Sequence, residues 1–153
     1  MVYGIISQKD NKTSIAFFKS KKVSASNMVT ADRLKQLGNV ITAGDVIHVV
    51  SVDRFLSVSA FVAFAGMVLR SGASMKILEQ PYLDIGNGKH YKSNIEEHLN
   101  VLARLESANV NRLLGSMQLT DAGREYVIRC VTDISLGILA NTYGSDGILH
   151  RGN

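Results

Sequence analysis

Cysteine is almost missing from this chain: Cys130 stands alone. One thiol excludes an internal disulfide and a cysteine-based zinc site, and it makes a reducing cytoplasm the expected compartment. The four histidines, His48, His90, His98 and His150, are scattered without metal-ligand spacing. No G-x-x-x-x-G-K or G-x-G-x-x-G follows a strand-like run, so a glycine-rich phosphate cradle is absent. Long apolar runs are missing too. Residues 61–69 are far too few to span a membrane, and residues 1–7 are too few for a signal peptide.

What is present describes a globular protein. Hydrophobic residues make up 46% and charged residues 20% of 153, which excludes a disordered chain. The length fits one ordinary domain, or a domain of roughly 115 residues with a small appendage. A net charge of +4 is a mild bias toward anionic partners that many non-binding proteins share. The excess is local: Lys9, Lys12, Lys19, Lys21 and Lys22 face Asp10 alone, and a solvated basic face explains such a cluster.

Strand-like and helix-like segments alternate. Residues 2–6 read as a first strand ending at Ser7, and residues 13–20 are ambiguous. Residues 30–41 read as a helix with Leu34, Leu37 and Ile41 on one side and Thr30 as its cap. Residues 46–52 form a β-branched run after the Gly44-Asp45 turn and end at Asp53-Arg54. Beyond it, Ser57 or Ser59 caps a buried helix that reaches about Arg70 and stops at Gly72, and residues 75–78 are a further strand. Residues 80–92 hold the only proline, with Gly86 and Gly88, and read as an exposed, mobile loop.

Ser93-Asn-Ile-Glu96 has the form of a capping box and opens a long helix over 93–115. Its stripe of Ile95, Leu99, Leu102, Leu105 and Leu113 could pack on its own sheet or form a seam with a second subunit. Residues 121–131 and 134–142 read as two helical segments, and Ala140-Asn-Thr-Tyr-Gly144 has the small-residue-to-glycine spacing of a helix-turn-helix. Leu136, Leu139, Ile148 and Leu149 would be its miniature core; a helical hairpin packed on the main domain is the other reading. The pattern implies an α/β fold with a mostly parallel sheet, helices on both faces, a long C-terminal helix and a small helix-turn-helix-like element.

In an open α/β sheet ligands bind at the carboxyl ends of the strands, so Asp53 and Arg54 stand where such a fold keeps its chemistry. An arginine there suits a phosphate because its planar fork donates two parallel hydrogen bonds. A strand-end ion pair at the surface is the bland alternative.

Several of these motifs, in this order, resemble the serine recombinases of the resolvase/invertase family. Tyr3-Gly-Ile-Ile-Ser7 looks like that family's first strand, which ends in a nucleophilic serine. Gly44-Asp45-Val46-Ile47 and Asp53-Arg54-Phe55 look like its Gly-Asp strand and its Asp-Arg-Leu signature. Residues 101–114 are similar to the long helix through which those proteins dimerise and meet DNA. The resemblance implies a catalytic domain over 1–117 and a short helix-turn-helix-like segment over 120–153. It further implies double-stranded DNA and a homodimer or higher homo-oligomer as partners, with no membrane, no cofactor and no metal. By the same resemblance Ser7 is the nucleophile, Arg54 and Arg33 are phosphate clamps, and Asp53 orients or handles a proton. Lys9, Lys12, Arg104, Arg112, Ser145 and Arg151 would contact DNA.

The departures bear on activity. The family's arginine two residues before the serine is Ile5 here, and the one three residues after the Asp-Arg arginine is Ser57. The region between Ser7 and the Gly-Asp turn is short, the dense arginine run after the dimer helix is missing, and the recognition helix is clipped. A serine recombinase attacks a DNA phosphodiester with its hydroxyl, forms a phosphoserine link and frees a 3′ hydroxyl, while arginines neutralise the developing charge. Losing one such donor typically costs ~10²–10³ in rate. Three classes follow: a DNA recombinase, a catalytically decayed homologue that binds DNA as a regulator or partner of an intact recombinase, and an unrelated α/β protein for a small phosphorylated ligand. The missing glycine-rich loop counts against the third.

Overall fold

Short apolar runs bounded by turns form four strands, β1 (Val2–Ile6), β2 (Met28–Thr30), β3 (Val46–Val49) and β4 (Ser74–Ile77). In the computed structural model, which describes residues 1–142, they build one sheet in the order β2-β1-β3-β4 with every pairing parallel. Five helices join and follow them among the described residues: α1 (Lys12–Ser20), α2 (Leu34–Val40), α3 (Val58–Ser71), α4 (Ser93–Ser116) and α5 (Asp121–Thr142). None of these helices is long and apolar enough to cross a membrane.

Local chemistry explains most boundaries. The ambiguous residues 13–20 are helical because Asn11 caps α1: its Oδ1 accepts from the N–H groups of Thr13 and Ser14, and Ser14 Oγ accepts from Asn11 N–H in return. Ser57 caps α3, accepting from Ala60 N–H at 2.9 Å, and Gly72 closes it in the left-handed conformation. Thr30 stands at the cap position of the one-turn segment Ala31–Arg33, but its side chain makes no capping bond. It ends β2, the tight turn Ala31–Arg33 follows, and α2 starts only at Leu34, so the expected helix over 30–41 is shortened to seven residues. The capping box at Ser93 does not form either. Ser93 already lies inside α4, and Lys92 stands at the cap position, where its side chain makes no capping bond.

The core follows the alternation of the strands. Ile5, Ile47, Val49, Met75 and Ile77 enter one large cluster with residues from α2 to α5, including Leu34, Leu37, Phe61, Phe64, Ile95, Leu99, Leu136 and Leu139. Val2, Ile6, Met28 and Val50 join Phe17, Phe18 and Val23 in a smaller cluster beneath α1. Phe61 is fully buried, and truncating such a side chain typically costs ~3–5 kcal/mol.

A buried carboxylate joins α4 to α3. Glu106 accepts from Val58 N–H at 2.9 Å, from Ser59 N–H at 3.1 Å and from Ser59 Oγ at 3.0 Å. Its charge sits at the positive end of α3, where free N–H groups need an acceptor.

Two expectations give way. The first half of residues 80–92 is tied down rather than loose, while 87–90 stay exposed. Gln80 is buried and its Oε1 accepts from Val52 N–H and Ser51 Oγ, Leu83 and Ile85 join the core, and Ile85 bridges Met75. The two helical segments 121–131 and 134–142 are one continuous helix, α5. Thr132 and Ser135 direct their hydroxyls to the carbonyls of Ile128 and Val131 one turn back, so these polar residues stay within the helix. Leu136 and Leu139 consequently pack in the main core instead of a miniature one, and Tyr82 Oη donates to Leu139 O at 3.0 Å. The expected turn at Gly144 and second helix, with Ile148 and Leu149, lie outside the described residues.

Candidate active site at the β1–β3 crevice

β1 and β3 are the two central strands, and the connections from them lead outward to opposite sheet edges. The crevice at their carboxyl ends is therefore the topological switch point, where α/β sheets bind ligands. Ser7 follows β1 there, and Asp53 and Arg54 lie in the short turn Val52–Arg54 after β3.

Asp10 organises the crevice. Its Oδ2 accepts from Ser7 N–H at 2.8 Å, and its Oδ1 accepts from Arg54 Nε at 2.9 Å. Asp53 Oδ1 accepts from Arg54 Nη1 at 2.6 Å, and Lys9 Nζ donates to the Asp53 carbonyl at 3.1 Å. The Ser7 hydroxyl accepts from Lys9 N–H at 3.2 Å, the geometry of a serine that closes a turn. Arg54 and Asp10 are nearly enclosed, with side chains only 11% and 6% exposed. Burial works against the guanidinium charge, but the bonds to Asp10 and Asp53 outweigh it and raise the Arg54 pKa above its ordinary value.

Ser7, Lys9, Asp53 and Arg54 wall a cavity of about 660 Å³ with Thr30, Ala31 and Asp32 from the end of β2 and Arg129 and Asp133 from α5. Asp32 is held below the usual carboxylate range, first by a hydrogen bond from the Thr30 hydroxyl. The Arg129 guanidinium makes no ion pair or hydrogen bond with a described residue. Lys9, Arg54 and Arg129 thus face Asp32, Asp53 and Asp133 across one space.

Ser7, Lys9, Asp53 and Arg54 are brought together at one cavity. Arg33 is not. It is exposed in the turn Ala31–Arg33 while its neighbour Asp32 lines the cavity. Lys12 is exposed at the start of α1. Arg104 and Arg112 are exposed on α4, outside the cavity, where they bond to Asn100 O and Asn109 Oδ1. Ser145 and Arg151 lie outside the described residues. The two missing arginines have structural reasons. Ile5 is fully buried in the main core, and the Ser57 hydroxyl caps α3.

Asp10, Arg129 and Asp133 were not singled out from the sequence. Arg129 and Asp133 are four residues apart, so they share a helix face, and that spacing was legible. Their arrival at the crevice was not, because it depends on α5 folding back across the turn after β3.

Together the elements make an α/β protein with an all-parallel sheet and a polar crevice at its switch point. Compared with known proteins, the chain matches no family model and no curated protein.

Proposed function

We propose that this chain is a DNA-binding protein of the serine-recombinase kind, in which Ser7 accepts a DNA phosphoryl group. One observation carries the reading: a serine hydroxyl at the carboxyl end of a central parallel strand shares a cavity with Lys9, Arg54 and Arg129. In the reaction Ser7 Oγ attacks phosphorus and the P–O3′ bond breaks. The serine proton passes to a carboxylate of the crevice, with Asp53 in the acid–base role, and the departing 3′ oxygen takes up a proton to become the 3′ hydroxyl. Guanidinium groups neutralise charge on the phosphoryl oxygens, as in other phosphoryl transfers. The fold belongs with this reading in finer detail: α1 covers one sheet face and the remaining helices the other, a second copy covers the exposed part of the α4 stripe, and the work is done in the cytoplasm.

A second reading has its own observation. Arg54 is paired with both Asp10 and Asp53, so its charge is compensated before any phosphate arrives. That arrangement favours a homologue that binds DNA without cleaving it.

Suicide DNA substrates that trap a covalent adduct separate the two. An adduct with the wild-type chain that disappears in Ser7→Ala, while binding is retained, supports the recombinase reading. Binding that weakens steeply with salt but yields no adduct supports the second. Absence of DNA affinity at low salt removes both.

A further inference from the structure

A second cavity, of about 570 Å³, lies between β4 and residues 81–92, away from the crevice. We propose that it is a binding site for a phosphate group.

Its floor is built and held. Residues 84 and 85 lie against β4: Met75 N–H donates to Ile85 O at 2.9 Å, Ile85 N–H returns to Met75 O at 3.0 Å, and Asp84 Oδ1 accepts from Ile77 N–H at 2.7 Å. Gly86 and Lys89 exchange bonds of 3.0 and 2.9 Å, closing a tight turn that carries Lys89. Only glycine fits at the contact point. Gly86 has φ of +112°, and a Cβ there would stand 2.4 Å from Ser74 Cα. Tyr82 also lines the space, its hydroxyl bound to Leu139 O.

Charge selects the ligand. Lys76, Lys89 and Lys92 line the cavity with His90, and Asp84 is its one carboxylate among the described residues. Burial raises the Asp84 carboxyl pKa against the pull of the Ile77 N–H and Lys76. The crevice at Ser7 sets the three cations of its lining against three lining acids and the adjoining Asp10, whereas this cavity keeps a cationic surplus among the described residues. Ammonium groups bind phosphate as point charges, and the volume falls within the range of small-molecule sites. The phosphate could come from a free phosphorylated small molecule or from a nucleic-acid backbone.

Isothermal titration of the full chain with inorganic pyrophosphate, and separately with a short DNA duplex, tests the site. The double variant Lys76→Ala/Lys89→Ala removes two exposed lysines, and Lys35→Ala, outside the cavity, controls for lost charge. The double variant is expected to weaken pyrophosphate binding roughly tenfold, as two ammonium contacts at an open site warrant, while Lys35→Ala leaves it near wild type. That result assigns a free phosphorylated ligand. Duplex affinity that falls in the double variant alone, with no pyrophosphate binding, assigns the backbone source. If neither probe distinguishes the double variant from Lys35→Ala, the proposal is overturned.

Discussion

Asp10 and Arg54 meet across the carboxyl ends of β1 and β3, Arg54 Nε donating to Asp10 Oδ1 at 2.9 Å, and both side chains are almost out of water. The pair joins the turn that carries Ser7 to the turn that carries Asp53, so the shape of the crevice depends on it. Breaking a buried pair from one side strands a charge, typically at ~3–5 kcal/mol. Asp10→Ala is therefore expected to lower stability toward that range, less whatever Asp53 still compensates. The double change Asp10→Ala/Arg54→Met should recover part of the loss, as read by urea unfolding. A loss for Asp10→Ala within the scatter of surface substitutions would contradict the structural role.

Arg129 should matter to chemistry more than to folding, because it faces the cavity from an exposed position. Arg129→Ala is expected to slow adduct formation ~10²-fold, with Arg129→Lys in between, while the midpoint of thermal unfolding stays close to wild type. Unchanged adduct kinetics in Arg129→Ala would take this residue out of the mechanism.

Glu106 gives a test of the α3–α4 joint. Glu106→Ala leaves the N–H groups of Val58 and Ser59 without their acceptor, and a buried unsatisfied group costs ~1–3 kcal/mol. Glu106→Gln keeps one oxygen acceptor and should lose less, so chemical denaturation should rank the wild type above Gln and Gln above Ala.

His48 sets a pH dependence. Burial lowers its pKa, and the nearby charges of Lys21 and Lys76 lower it further, so the fold prefers the neutral ring. The contribution to stability is complete above the unfolded histidine value of about 6.5 and is lost as pH falls through the lower folded value. Unfolding free energy should drop on acidification over that window. In His48→Gln the slope should flatten, and an unaltered slope would assign the effect to other groups.

Leu105 tests assembly. It is 54% exposed on α4, while Ile95 and Leu99 of the same stripe are buried in the chain's own core. A second copy that covers this part of the helix should be lost in Leu105→Glu. Sedimentation velocity is expected to detect a self-associating wild type and a monomeric variant; a monomeric wild type at tens of micromolar removes the dimer.

Periodicity and turn chemistry make much of the fold legible in the sequence. The branched runs at residues 2–6 and 46–52 read as strands, the second ending earlier than expected, at Val49, and Ser57 with Gly72 delimited α3, because backbone groups at helix ends and the apolar area of such runs leave few alternatives. The parallel arrangement followed from strands separated by helices, which places Ser7 and Asp53 at one end of the sheet. Other features depended on contacts distant in sequence. β2 is three residues long, too short to announce itself, and is held only by pairing with β1. Helix α5 carries polar residues that read locally as a break, yet Leu136 and Leu139 draw it onto the core and bring Arg129 and Asp133 to the crevice. Asp10 read as one acid among lysines until the chain closed Arg54 onto it across 44 positions. Local propensity decides what each segment can become; burial of apolar surface and the pairing of buried charges, which join residues far apart in the chain, decided what this crevice contains.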